Sequence, residues 1–166
     1  MSEFWTLGHE LFRSTPETFP VAFVPGNILD PRFLAEETNY RRSLPPLSTL
    51  RSLTPLQGHV SAIHASSIFH LFSGPEQVVL AKKLSALLSP STGSVIFGIQ
   101  QGDVVAGEIV NPRRERVYLH SLESWKSLWK ALFPEGGVQV EANWLESIET
   151  GTRARVLVMA WSVTRL

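Results

Sequence analysis

The stretch Val60-Ser61-Ala62-Ile63-His64-Ala65-Ser66-Ser67-Ile68-Phe69-His70-Leu71-Phe72 constrains the fold of this chain more than any other. It opens as a short apolar run, Val60 to Ile63, of the length and type expected for a buried strand. It turns small and polar at His64, Ala65, Ser66 and Ser67, where side chains and backbone are free to face a ligand. Ser73, with Glu76 three residues on and an apolar-periodic run beyond, is a capping box that starts a helix. Strand, polar loop and helix in that order describe the carboxyl end of a strand in an open α/β sheet, which is where such sheets bind ligands.

The rest of the chain supplies the elements such a sheet needs. Phe4, Leu7, Leu11 and Phe12 recur at helical spacing, so residues 3–13 form a short amphipathic helix ended by Pro16. Phe19 to Val24 is an apolar, β-branched run closed by Pro25-Gly26, the pattern of a short buried strand. Residues 31–57 hold four prolines and scattered leucines; they predict a packed connection with one or two helical turns and no domain boundary. Val78 to Leu88 is a helix stopped by Pro90, and Val95-Ile96-Phe97 is a second buried strand. Gln100 to Arg116 has the polar, glycine-punctuated character of a long loop over the ligand face. Ser121 caps a helix striped by Leu122, Trp125, Leu128, Trp129 and Leu132. Val138 to Asn143 alternates as a strand, Ala154 to Val163 is a longer one, and Glu149-Thr150-Gly151-Thr152 is the turn between them. The expected fold is therefore α/β: one domain over residues 1–166, with a mostly parallel sheet flanked by helices and an antiparallel strand at the carboxyl end.

Composition narrows the function classes. A formal net charge of +0 leaves no electrostatic footprint for nucleic acid or an anionic membrane. The pairs Arg41-Arg42 and Arg113-Arg114 are expected to be solvated loop charges. With Cys 0, disulfides, thiolate catalysis and cysteine-ligated metals are excluded. No apolar run approaches the roughly 20 residues that cross a bilayer, and the first residues lack a signal peptide's basic and apolar regions, so cytosol is the default compartment.

Histidine is the residue type best suited to proton transfer near neutral pH. His64 at the strand end and His70 six residues on are the candidates, with His70 as the catalytic base; flanked by Phe69 and Leu71, His70 also fits a core position. Ser66 and Ser67 can hydrogen-bond a ligand, but no Asp/His arrangement marks either as a nucleophile. His59, His64 and His70 lack a ligand-spaced carboxylate, so no metal site is expected. Trp125 on its helix face fits the core. His120 and Trp125, where the long loop meets the helix, are the substrate-binding candidates.

The runs H-V-S-A-I-H-A-S-S-I-F-H-L-F-S and A-K-K-L-S-A-L-L-S-P-S-T-G-S-V-I-F-G resemble the fourth strand, following helix and fifth strand of class I S-adenosylmethionine-dependent methyltransferases. The resemblance is to the fungal small-molecule group, including meroterpenoid-pathway enzymes. It extends through L-G-H-E-L-F-R, G-N-I-L-D at Gly26 to Asp30, and H-S-L-E-S-W-K-S-L-W at His120 to Trp129.

What the resemblance implies is a partial Rossmann-like methyltransferase fold, the carboxyl-terminal two-thirds of that domain. The activity it implies is transfer of a methyl group from S-adenosylmethionine to a small-molecule oxygen in secondary metabolism. Asn27 and Ile28 stand where the family contacts adenine, although Asn27 is equally a turn residue, and His64, Ala65 and Ser66 line the cofactor side. The family's glycine-rich loop and ribose-binding acid are not among these residues, and the resemblance places the chain's start beyond both. The strands that normally separate the third from the fourth are then missing, a gap of about 10 Å. Either the third strand slides over to pair with the fourth, or both edges stay open to self-association. A non-catalytic remnant or interaction module that does not bind the cofactor alone is the second reading.

Overall fold

The computed structural model describes residues 2–36, 43–145, 148–149 and 155–166. Arg41-Arg42 and residues 150–152 of the expected turn lie outside them. The helices are α1 (Ser2–Phe12), α2 (Gly74–Leu87) and α3 (Leu122–Lys130). The strands are β1 (Ala62–His64), β2 (Val95–Gly102), β3 (Gly107–Val110), β4 (Arg116–Leu119), β5 (Val138–Trp144), β6 (Ile148–Glu149) and β7 (Arg155–Arg165).

The main sheet has the order β1-β2-β7-β5, with β6 also paired to β7. β1 runs parallel to β2, and β7 is antiparallel to both β2 and β5. Strands β1, β2 and β5 therefore point one way and only the long β7 is reversed among them. That is the mixed α/β sheet expected, with its antiparallel strand at the carboxyl end. Glu149, expected in the turn, instead pairs with Arg155 as part of β6.

Side-chain alternation decides which face of the sheet is covered. Ile96 and Gln100 of β2, Met159, Trp161 and Val163 of β7 and Ala142 of β5 share one buried face. α2 lays Leu80, Ala81, Leu84 and Leu87 on it, and α3 adds Trp125 and Trp129. At the centre Phe69, Trp125, Trp129 and Trp161 meet with ring centroids 4.8 to 6.0 Å apart, mostly edge to face, the geometry in which ring quadrupoles attract. On the opposite face Phe97 and Ile99 each remain 41% exposed.

α2 begins as its capping box predicts: the Ser73 amide and hydroxyl both donate to the Glu76 carboxylate, at 2.9 and 2.6 Å. One turn on, the buried Gln77 amide donates to the carbonyls of Phe72 and Tyr118, tying α2 to β4. Residues 31–57 pack as expected, with short 3-10 turns at Leu47–Thr49 and Thr54–Leu56 and with Leu34 and Leu50 buried. The buried Lys83 amine of α2 donates to the Leu34 carbonyl, and the Gln57 amide donates to Ala35.

Further expectations are corrected. The strand expected as a buried Val60 to Ile63 is Ala62–His64, with Ala62 and His64 exposed. Phe19 to Val24 forms no strand; Phe19 and Phe23 are held by the Trp5 ring of α1, and β1 pairs only with β2 among the described residues. With no third strand formed among the described residues, neither foreseen arrangement holds, and β1 is an outer strand of the sheet. Gln100 to Arg116 is not a long loop: β2 runs on to Gly102, and β3 and β4 form a hairpin with Arg113 and Arg114 exposed at its tip.

Candidate functional site

The site is built around the loop that leaves β1. The parallel ladder continues past the strand, the Ala65 amide donating to the Phe97 carbonyl at 2.9 Å and the Ser67 amide to Ile99 at 2.7 Å. The loop can lie this close because residue 98 is glycine. A Cβ there would stand 2.5 Å from the Ala65 carbonyl oxygen and 3.1 Å from the Ser66 nitrogen. Ser67 then turns the chain with φ 54, in the left-handed region where a serine carries strain of order 1 kcal/mol.

Pinned so, the loop presents a polar pair. Ser66 Oγ accepts a hydrogen bond from the Ile99 amide at 3.1 Å and is hydrogen-bonded to His64 Nε2 at 2.7 Å. His64 is exposed and its ring leans on Phe97, centroids 5.2 Å apart. His64, Ala65 and Ser66 therefore lie together at the carboxyl end of β1, on the side where the sheet is uncovered.

His70 follows in the short 3-10 turn Phe69–Leu71. Its ring is half-buried, and burial holds its pKa below the usual histidine value, so the imidazole is neutral at pH 7. Nδ1 is buried without a hydrogen-bond partner among the described residues.

Asn27 and Ile28 follow no strand. Asn27 is exposed in an Asx turn, its Oδ1 accepting from the Leu29 amide at 3.0 Å and its carbonyl accepting from the Asp30 amide at 3.0 Å. Ile28 packs half-buried against the core. Asp30 is held by Arg32 at 2.8 Å, which keeps its carboxyl below the usual range.

His120 is 8% exposed, stacked edge-on between Tyr118 and Trp125, with Nδ1 2.9 Å from Ser124 Oγ at the start of α3. Burial lowers its pKa to about 4. Trp125 is fully buried in the aromatic centre. Two contributors escaped the reading of the sequence: Gly98, whose signal was a lone glycine within a strand pattern, and the Ile99 amide, which carries no sequence signal.

No protein-family model matches the chain. Curated fungal proteins do. O-methyltransferase phiE of a fungal species is 33% identical over 141 residues, 84% of this chain and 41% of its own length. Methyltransferase adrK of Penicillium rubens is 30% identical over 86% of this chain and 46% of its own. The chain is a homologue of fungal methyltransferases. The Asnovolin E/Chermesin D methyltransferase nvfJ of Aspergillus novofumigatus agrees, at 29% identity over 85% of this chain and 45% of its own. This methyltransferase homologue thus spans less than half the length of the curated relatives it matches. A solved S-adenosylmethionine-dependent methyltransferase from Methanosarcina mazei resembles 66% of the chain and 61% of its own with a TM-score of 0.44 at 11% identity, too distant a likeness to carry an argument.

The described residues do not make a whole cradle for S-adenosylmethionine. Asn27 has an exposed amide suited to a purine edge, and His64 and Ser66 offer polar atoms at the strand end. Asp30, the acid that follows Asn27 and Ile28 in the chain, is paired with Arg32. The close approach that Gly98 permits is filled by the Ala65–Ser66 backbone, leaving no room there for a ligand.

Proposed function

We propose that this chain is part of an S-adenosylmethionine-dependent O-methyltransferase acting on a small molecule of fungal secondary metabolism. In this reading the chain corresponds to the carboxyl-terminal two-thirds of the methyltransferase domain and supplies the purine end of the cofactor site and the base. The observation that carries it is the His64–Ala65–Ser66 loop, pinned over Gly98 at the carboxyl end of β1, in a chain whose relatives are methyltransferases. Asn27 and Ile28 meet the purine, and His64, Ala65 and Ser66 line the same side. S-adenosylmethionine, when bound, supplies the methyl group.

His70 is the base. A base must be unprotonated before it acts, and burial favours the neutral imidazole that takes the proton from the acceptor hydroxyl. His120 and Trp125 are buried, so any contribution they make to the acceptor side is positional, through the Tyr118–His120–Trp125 stack.

Because the described residues cradle only part of the cofactor, the purified chain by itself does not retain it. Calorimetric titration with S-adenosylhomocysteine should give no measurable binding heat at micromolar ligand; a dissociation constant in the low micromolar range would contradict this.

One observation favours a second reading, a non-catalytic interaction module. β1 is an outer strand of three residues, and Phe97 and Ile99 are exposed beside it. Sedimentation should then show self-association that a charge at Ile99 abolishes, and a concentration-independent monomer would rule the reading out.

A further inference from the structure

α1 has an aromatic side that the main core does not use. Trp5, His9 and Phe12 fall at helical spacing on one stripe, and the chain doubles back beneath it. Arg13 takes φ 51 while the Ser14 amide returns to the His9 carbonyl at 2.9 Å, closing the helix. The return brings Phe23 into a parallel stack on Trp5, centroids 4.8 Å apart, with Phe19 6.3 Å from the same ring. None of these residues belongs to the sheet's core cluster.

Between them is a half-open surface cleft of about 240 Å³ lined by Trp5, Gly8, His9, Phe12, Ser14 and Phe19. Its walls are almost wholly apolar. The polar exception is His9 Nδ1 and Ser14 Oγ, 2.8 Å apart. Gly8 is the second observation. A glycine inside a helix costs about 1 kcal/mol relative to alanine, and here a Cβ would meet nothing within 4 Å. A larger side chain at this lining position has open space to enter.

We propose that this cleft is a binding site, separate from the β1 loop, for a flat two-ring aromatic molecule bearing one hydroxyl. An enclosed apolar cavity of about 150 Å³ takes a benzene; this cleft, larger and open on one side, has room for a second ring. The aromatic walls favour a planar ligand over an aliphatic one. The His9–Ser14 pair gives a hydroxyl its hydrogen bond, and with no carboxylate, lysine or arginine on the lining a neutral ligand fits best.

The test uses the whole chain and two probes, 2-naphthol and 2-methoxynaphthalene, followed by the assigned Trp5 indole N–H and Gly8 amide resonances. The expected result is saturable movement of both signals by 2-naphthol, with a dissociation constant on the order of 0.1 mM. The methoxy probe, which cannot donate, should bind at least fivefold more weakly. Gly8→Leu, which fills the cavity from a position of good helix propensity, should lose at least tenfold in affinity with helicity kept or raised. Gly8→Ala, the mildest change, should keep the fold and weaken binding less. No saturation in the parent chain would overturn the proposal, and so would equal affinity in a folded Gly8→Leu or equal binding of the two probes.

Discussion

Gly98 lies directly beneath the Ala65 carbonyl, so near that a Cβ at residue 98 would stand 2.5 Å from the oxygen. One missing methyl group thereby decides where His64 and Ser66 sit. Gly98→Ala must move backbone, which does not yield as a flexible side chain does. It should cost about 1–3 kcal/mol, the usual range for an overpacked site. Urea unfolding measures the loss, and the amide shifts of Ser66 and Ser67 should move with it.

The burial of His120 sets a pH dependence of stability. Folded His120 binds a proton less readily than the unfolded chain does, because burial lowers its pKa to about 4. Stability is therefore full above about pH 6.5, falls as the pH drops from there to about 4, and loses nothing further from this group below that. At about 1.4 kcal/mol per tenfold in proton affinity, the fall is roughly 3 kcal/mol. His70, lowered by burial as well, acts in the same direction. Unfolding midpoints measured between pH 4 and 7 should show the slope, and His120→Asn should flatten most of it.

Trp161 joins the reversed strand to both tryptophans of α3, with centroids 4.9 Å from Trp125 and 5.7 Å from Trp129. Trp161→Ala removes the ring that locks β7 under the helix and should cost about 3–5 kcal/mol. Thermal unfolding followed by near-ultraviolet circular dichroism tests this, since the tryptophan couplings report the same cluster.

The parts of the fold that were legible in the sequence are those where local and long-range signals agree. The capping box at Ser73 and Glu76 starts α2, Ser121 caps α3, and the alternation of Val138, Val140 and Ala142 forms β5 as the period predicts. Phe19 to Val24 shows the limit. Its β-branched, apolar run has strand propensity, but a strand needs an edge to pair with, and the rings of Phe19 and Phe23 find Trp5 instead. Glycines at 102 and 107 suggested a loop where β3 pairs with β4, because turn residues mark a hairpin's start as well as a loop. Of the candidate site, the strand-end trio was visible as a polar break after an apolar run. The burial of His120 was not, since it depends on Tyr118 and Trp125 closing on the ring from two different elements.

In the proposed function, Asn27, Ile28, Ala65 and Ser66 shape the purine end of a cofactor site, and no described residue supports the sugar or the amino-acid tail. The most direct test compares adenosine with S-adenosylhomocysteine by amide chemical-shift titration of the isotope-labelled chain. The account predicts that both ligands, at millimolar concentration, move the same amides at Asn27, Ile28, Ala65 and Ser66 with affinities equal within about threefold. S-adenosylhomocysteine binding far more tightly than adenosine, or neither ligand moving those amides, would contradict it.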